Sequence, residues 1–270
     1  MIISTTDSDG AIHAIDPTHS IDISIPLRFN GPQPNAFGVD PAAAKACEYG
    51  DLVGDTRRGG SCNFEQITLI PHCNGTHTEC VGHIINERIS IRDCLTDVFI
   101  DARLVTIQPL DAARCNETYP CKFGTADLVI TRELIASKIS INNVNALIVR
   151  TLPNDTEKLS RIYQEIIPPY FTSEAMEFIV GRGVRHLLVD MPSIDRLYDG
   201  GKLSNHRTFW SIDEGRFETT NGTRMDSTIT EMIFVPDEVE DGSYLLNLQI
   251  PPFESDAAPS RPILFKTKNG

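Results

Sequence analysis

The sequence has no apolar run approaching the ~20 residues of a membrane-spanning helix. It has no excess of positive charge either. Against 37 Asp and Glu stand only 24 Lys and Arg, a formal net charge of −13. An acidic surface repels phosphate backbones and anionic lipid, so neither nucleic acid nor a membrane is an expected partner. The N-terminus, Met1-Ile2-Ile3-Ser4-Thr5-Thr6-Asp7, lacks the basic start and apolar stretch of a secretory signal. A paired cysteine framework is missing too. Cys47, Cys62, Cys73, Cys80, Cys94, Cys115 and Cys121 are odd in number and read as reduced thiols, so the expected compartment is the cytoplasm. There the N-x-Thr sequons at Asn74, Asn116, Asn154 and Asn221 mean nothing. Internal repeats and low-complexity tracts are also absent.

What is present is an ordinary globular mix: 270 residues, 40% hydrophobic and 23% charged, enough to bury a substantial core. No clean linker divides the chain, so residues 1–270 are expected to form one domain. Alternating or continuous apolar runs predict strands at 22–27, 66–70, 98–107, 128–130, 146–150, 184–190, 228–235, 244–249 and 263–266. Asp241-Gly242 is a turn signal between two of them. A helix is expected over 173–180, capped by Thr172 or Ser173 and ended by Gly181 or Gly183, with a short one at 41–49. Residues 29–62 otherwise read as a long loop that could cover a site. The sum is a mixed α/β layout, not a regular βαβ repeat.

One segment stands out: His72-Cys73-Asn74-Gly75-Thr76-His77-Thr78-Glu79-Cys80-Val81-Gly82-His83. Three of the seven histidines fall within twelve residues. Imidazole nitrogens and a carboxylate oxygen are the usual ligands of zinc, manganese and similar metals. His77 and Glu79 are two apart, so an extended strand puts both on one face. His72 can fold back across the Asn-Gly bend. Two plainer readings stay open: hydrogen-bonded structural histidines, or a Cys/His zinc site using Cys73 and Cys80, whose spacing is not C-x₂-C.

The segment resembles the signature of the cyclase family of metal-dependent hydrolases, which includes bacterial kynurenine formamidases and isatin hydrolases: H-x-G-T-H-x-D-x-P-x-H. Gly75-Thr76-His77 matches G-T-H, Glu79 stands at the Asp position, and His83 falls at the final His. Downstream, Asp190-Met191-Pro192-Ser193-Ile194-Asp195 is similar to the family's D-x-P-S-x-D turn, His206 to its later metal-site His, and Thr230-Glu231-Met232-Ile233 to its E-N-L segment. Ala258-Pro259-Ser260-Arg261-Pro262 resembles its tail, and Asp22-Ile23-Ser24 its opening strand. Four departures mark this chain: one extra residue between His72 and His77, Glu79 for Asp, Val81 for Pro, and a longer gap from His206 to Glu231. That gap, with Asn221-Gly222, reads as an inserted hairpin over 214–226.

The resemblance implies a single mixed-sheet domain of the swivelling β/β/α type. It implies one or two divalent metals, zinc or manganese, held by His72, His77, Glu79, His206 and Glu231. It also implies that His83 carries the proton while metal-activated water cleaves an amide or cyclic amide C–N bond, and that the chain is a homo-oligomer, most simply a dimer. A lactone or ester hydrolase, and a non-catalytic metal- or ligand-binding protein, are the alternatives. Asp190 and Asp195 read as turn caps. His13, His19 and His186 are expected outside the site, Trp210 and Phe209 in the core or lining a pocket, and Arg57-Arg58 in a solvated loop.

Overall fold

Apolar runs with both faces covered become the parallel heart of a ten-stranded sheet. The computed structural model describes residues 3–6, 12–139, 144–164 and 166–267. The sheet's strands are β1 (Ile3–Thr6), β2 (Ile12–Asp22), β3 (His77–Glu79), β4 (Phe99–Ile107), β5 (Ala146–Thr151), β6 (His186–Val189), β7 (Thr228–Glu231), β8 (Gly242–Asn247), β9 (Ala257–Pro259) and β10 (Ile263–Thr267). Their order is β1-β2-β10-β8-β4-β5-β6-β7-β3-β9. Strands β4, β5, β6 and β7 run parallel, and every other pairing is antiparallel. The sheet is thus mixed, as the sequence implied.

The two-residue period of the central strands supplies two cores. Leu147, Val149, Leu187, Val189 and Ile229 turn to one face, where helices α3 (Ser173–Gly181) and α4 (Ser204–Trp210) pack with Met176, Ile179, Phe209 and Trp210. Ala146, Ile148 and Leu188 turn to the other face and meet Tyr244, Leu246 and Leu264. Helix α3 starts where Thr172 Oγ1 accepts from Ala175 N at 3.2 Å. Two shorter helices, α1 (Ile91–Cys94) and α2 (Arg132–Ala136), complete the α content. Truncating a core residue such as Leu147, which is fully buried, costs about 2–5 kcal/mol in comparable sites.

Four expectations need correcting. The strand expected at 22–27 lies instead at Ile12–Asp22: beyond Asp22 only Ser24 makes an isolated bridge, to Ile233, and Pro26 follows. Residues 41–49 form no helix. Ala43–Ala46 is extended and pairs with Glu65–Thr68, while Glu48–Tyr49 pairs with Leu52–Val53. The strands flanking Asp241-Gly242 are not neighbours, since β7 joins β6 and β3 whereas β8 joins β4 and β10. The 214–226 stretch contains a turn at Asn221-Gly222 but no strands; the Thr220 and Thr223 hydroxyls close that turn themselves.

Candidate metal centre

The centre forms where α4 meets the far end of the sheet. Strand β3 lies between β7 and β9, with His77 directly opposite Glu231 and also opposite Pro259. Opposed residues of an antiparallel pair share a face, and so do His77 and Glu79. One face therefore carries His77, Glu79 and Glu231. Thr78, between them, turns away to meet Thr230 Oγ1 at 2.8 Å. Gly75 enters β3 at φ 139°, a value that favours glycine, and its carbonyl accepts from His77 Nδ1 at 2.9 Å. Beyond Glu231, Met232 takes φ 53° and ends the strand.

His72 sits within a tight turn over residues 70–74. Cys73 N and Asn74 N both donate to Ile70 O, and Asn74 Oδ1 accepts from Ile70 N at 2.7 Å. His83 ends a short 3₁₀ turn, Val81–His83. Gly82 there lies so close to Ile89 O that a Cβ would stand 2.3 Å from it. His206 sits in the first turn of α4. Asp199 builds the approach by accepting from Gly201 N, Lys202 N and Leu203 N. Asp195 then accepts from Asn205 N at 2.8 Å, from His206 N at 3.2 Å and from His206 Nδ1 at 2.6 Å.

Six side chains converge as a result. His206 Nε2 stands 2.9 Å from Glu79 Oε1 and 3.7 Å from Glu231 Oε1. Glu231 Oε1 also accepts from Ile194 N at 3.0 Å. His77 Nε2 stands 3.5 Å from Glu231 Oε2. His72 Nδ1 lies 3.0 Å from Glu79 Oε2, and His83 Nε2 lies 3.9 Å from the same oxygen. Three clusters with metal-ligand spacing result among the described residues: His72, His77 and Glu79; Glu79, His83 and His206; and His72, His83 and Asp256.

The donor set fits a cation. His77 Nδ1 is committed to Gly75 O, which leaves its lone pair on Nε2; that atom is buried and has no hydrogen-bond partner among the described residues. Glu79 Oε2 is buried and likewise lacks an aligned donor. Buried polar atoms are rarely left so, because each costs about 1–3 kcal/mol. Imidazole nitrogens and carboxylate oxygens brought this close together are the chemistry of a divalent metal site. Asp195 behind His206 and Gly75 O behind His77 are the outer hydrogen-bond partners that metal-binding imidazoles usually have.

Without a metal, the carboxylates act on the imidazoles. Burial works against a charged His206, but Glu79 and Asp195 outweigh it and raise its pKa well above the usual value. Burial likewise opposes charge on His72, yet Asp256 and Glu79 raise it to about 10. Burial would push the Glu79 carboxyl up; His83 and His206 outweigh it and hold it well below the usual range.

The structure brings together all six residues singled out from sequence. It adds Asp256, whose Oδ2 lies 2.8 Å from His72 Nε2, and it gives Asp195 a grip on His206 beyond turn capping. The available signal for Asp256 was its place just before the tail segment, in an otherwise unremarked Ser-Asp pair. Asp190 is elsewhere, paired with buried Lys158 at 2.8 Å. His186 binds Thr228 and Asp97, and His19 binds Asp16. The His13 side chain lies outside the described residues. Arg57 and Arg58 pair with Asp55 and Glu48 at the surface. Phe209 and Trp210 are core residues, although the Trp210 ring lies 5.6 Å from that of His206. Cys80 packs with Ile91, Cys94 and Ala258, and no cysteine joins a metal-ligand cluster among the described residues.

The chain resembles known proteins in sequence and in fold. A family model described as "Putative cyclase" matches residues 18–196, a span that holds His72, His77, Glu79 and His83 and ends before His206. The chain is 25% identical over 209 residues to the kynurenine formamidase of Bacillus cytotoxicus, covering 77% of this chain and 82% of that protein. It is 23% identical over 249 residues to the kynurenine formamidase of Bacillus cereus, covering 90% and 96%. Among solved structures, isatin hydrolase A from Labrenzia aggregata superposes with a TM-score of 0.62 at 14% identity, covering 93% of this chain and 94% of that one. A predicted metal-dependent hydrolase from Bacillus stearothermophilus gives 0.60 at 17%, covering 92% and 98%.

Proposed function

The chain belongs to the cyclase family, and from that premise we propose that it is a metal-dependent hydrolase cleaving an amide or cyclic amide C–N bond in a small molecule. The observation that carries the reading is the buried, unpartnered lone pair of His77 Nε2, set among His206 and two buried carboxylates. His77, Glu79, His206 and Glu231 would hold one or two divalent ions, with His72 as a further ligand. A bound zinc or manganese would polarise the scissile carbonyl and lower the pKa of a water from ~15.7 towards 7.

The remaining chemistry belongs to the chain. The His72 and His83 side chains are 23% and 27% exposed while Glu79, His77, His206 and Glu231 are 5% or less, so substrate arrives on the His72–His83 side. His83 takes the proton from the water that adds to the carbonyl carbon. It returns that proton to the nitrogen as the C–N bond breaks, which leaves an acid and an amine. An imidazole accepts a proton on its lone pair and gives it back from the same nitrogen, and so suits both halves of the task. Seven free thiols support a reducing compartment, the cytoplasm. A homodimer is part of the same reading and is checked by sizing.

The test is elemental analysis of protein purified without added metal, then a panel of formyl-anilide, isatin-like lactam and lactone substrates. Turnover of an amide or lactam, abolished by chelator and restored by zinc or manganese, is expected. Fully metallated protein that turns over only lactones would move the reading to ester chemistry. No turnover at all would make the chain a binding protein.

A further inference from the structure

Asp256, one residue ahead of β9, is the carboxylate on the exposed side of the centre. A single oxygen, Oδ2, stands 2.8 Å from His72 Nε2 and 3.5 Å from His83 Nδ1. The two imidazoles stack, with centroids 4.2 Å apart and planes inclined by 30°. Their other nitrogens, His72 Nδ1 and His83 Nε2, face Glu79 Oε2. Each ring therefore spans the same two carboxylates, Glu79 inside and Asp256 outside. Asp256 is itself held: Oδ1 accepts from Ser255 Oγ at 3.2 Å, and its carbonyl accepts from Cys80 N, next to Glu79, at 3.0 Å.

A neutral imidazole has one N–H and one lone pair, and the partner of one nitrogen fixes the role of the other. An ionised carboxylate only accepts. An Asp carboxyl is ordinarily ionised near neutral pH, and Asp256 Oδ2 stands beside both rings. With a cation taking up the Glu79 carboxylate, Asp256 is the acceptor left to each ring, so it selects N–H on its own side of both and leaves both lone pairs on the Glu79 side. The 3.5 Å contact to His83 is longer than the 2.8 Å contact to His72 and is the weaker of the two.

We infer that Asp256 is a positioning residue that sets the tautomers of His72 and His83 together, so that His72 presents Nδ1 and His83 presents Nε2 to the reaction centre. The part concerning proton transfer rests on the hydrolase reading; the tautomers do not. An isolated neutral histidine favours its proton on Nε2. The state inferred for His83, with the proton on Nδ1, is the opposite one, and so it is diagnostic. The competing arrangement makes Asp256 a ligand of an outer ion with the outward nitrogens of both rings. That would turn their N–H groups inward and remove His72 from the inner centre.

The test is long-range ¹H–¹⁵N NMR of the imidazoles in zinc-loaded, histidine-labelled protein at about pH 8, where free imidazole is neutral. The expected wild-type spectrum has His72 protonated on Nε2 and His83 on Nδ1. In Asp256→Ala, His83 reverts to Nε2–H, and kcat falls about 10–100-fold with KM unchanged. Asp256→Asn, which keeps an acceptor oxygen, recovers part of both. A wild-type His83 protonated on Nε2 would overturn the inference, whatever the variants do. So would an Asp256→Ala protein that loses one zinc per chain, because Asp256 would then be a ligand. The inferred tautomers in a protein that turns over no substrate would refute the hydrolase reading and leave the tautomer assignment standing. A working hydrolase with His83 protonated on Nε2 would do the reverse.

Discussion

The two halves of the centre are built differently. The inner half, His77, Glu79, His206 and Glu231, stands on strands and a helix, and it is buried. Three of its four side chains are pinned by an outer partner: Gly75 O, Asp195 and Ile194 N. The outer half, His72, His83 and Asp256, stands on turns and is partly exposed, and its members hold chiefly one another. Rigid ligands need fixed geometry, whereas a group that passes protons must meet both water and substrate. The division predicts that damage to the inner half removes the metal, while damage to His83 or Asp256 in the outer half removes turnover first.

The largest effect is expected at the inner half. Glu231→Gln should lose metal and turnover together, as elemental analysis beside an activity assay will show; intact occupancy with intact activity would take Glu231 out of the site. Next comes His83→Ala, where kcat should fall about 10²–10⁴-fold while metal content is unchanged. A fall in metal content there would make His83 a ligand and blur the two halves. Asp195→Ala should weaken metal affinity about 10–100-fold, read by competition with a chromogenic chelator. It should also lower stability by about 1–3 kcal/mol in urea titration, since His206 Nδ1 is left buried without a partner. The smallest effect is one of pH. The raised His72 pKa contributes stability to metal-free protein that is full below 6.5 and is lost as pH rises through about 10. Metal must displace that proton, so apparent zinc affinity should climb with pH across the same window, measurable by calorimetry with proton release. A flat profile would mean His72 does not bind metal.

Much of this was legible in the chain because the chemistry is local. His77, Glu79 and His83 lie within seven residues, and the two-residue period of a strand aligns the first two. The central strands declared themselves by apolar runs, and Thr172 announced α3. Where pairing partners are distant, the chain alone was a poor guide. Ala43–Ala46 has helical propensity but is drawn into a ladder with Glu65–Thr68, since tertiary pairing overrides a weak local preference. Asp256 meets His72 across 184 residues, and nothing in Ser255-Asp256-Ala257 marks a site until the register of β9 against β3 brings it there. Asp195 was read as a cap of its own Pro-Ser turn; it accepts instead from the start of α4 and from the His206 ring, which appears only once α4 is in place.

The most direct measurement is an anomalous-difference map, collected at the absorption edge of whichever metal elemental analysis finds, on crystals grown without added metal. The account predicts a peak at bonding distance from His77 Nε2 and His206 Nε2, between the Glu79 and Glu231 carboxylates. No peak there in metal-containing protein, or a peak bound instead by Cys73 or Cys80, would contradict it.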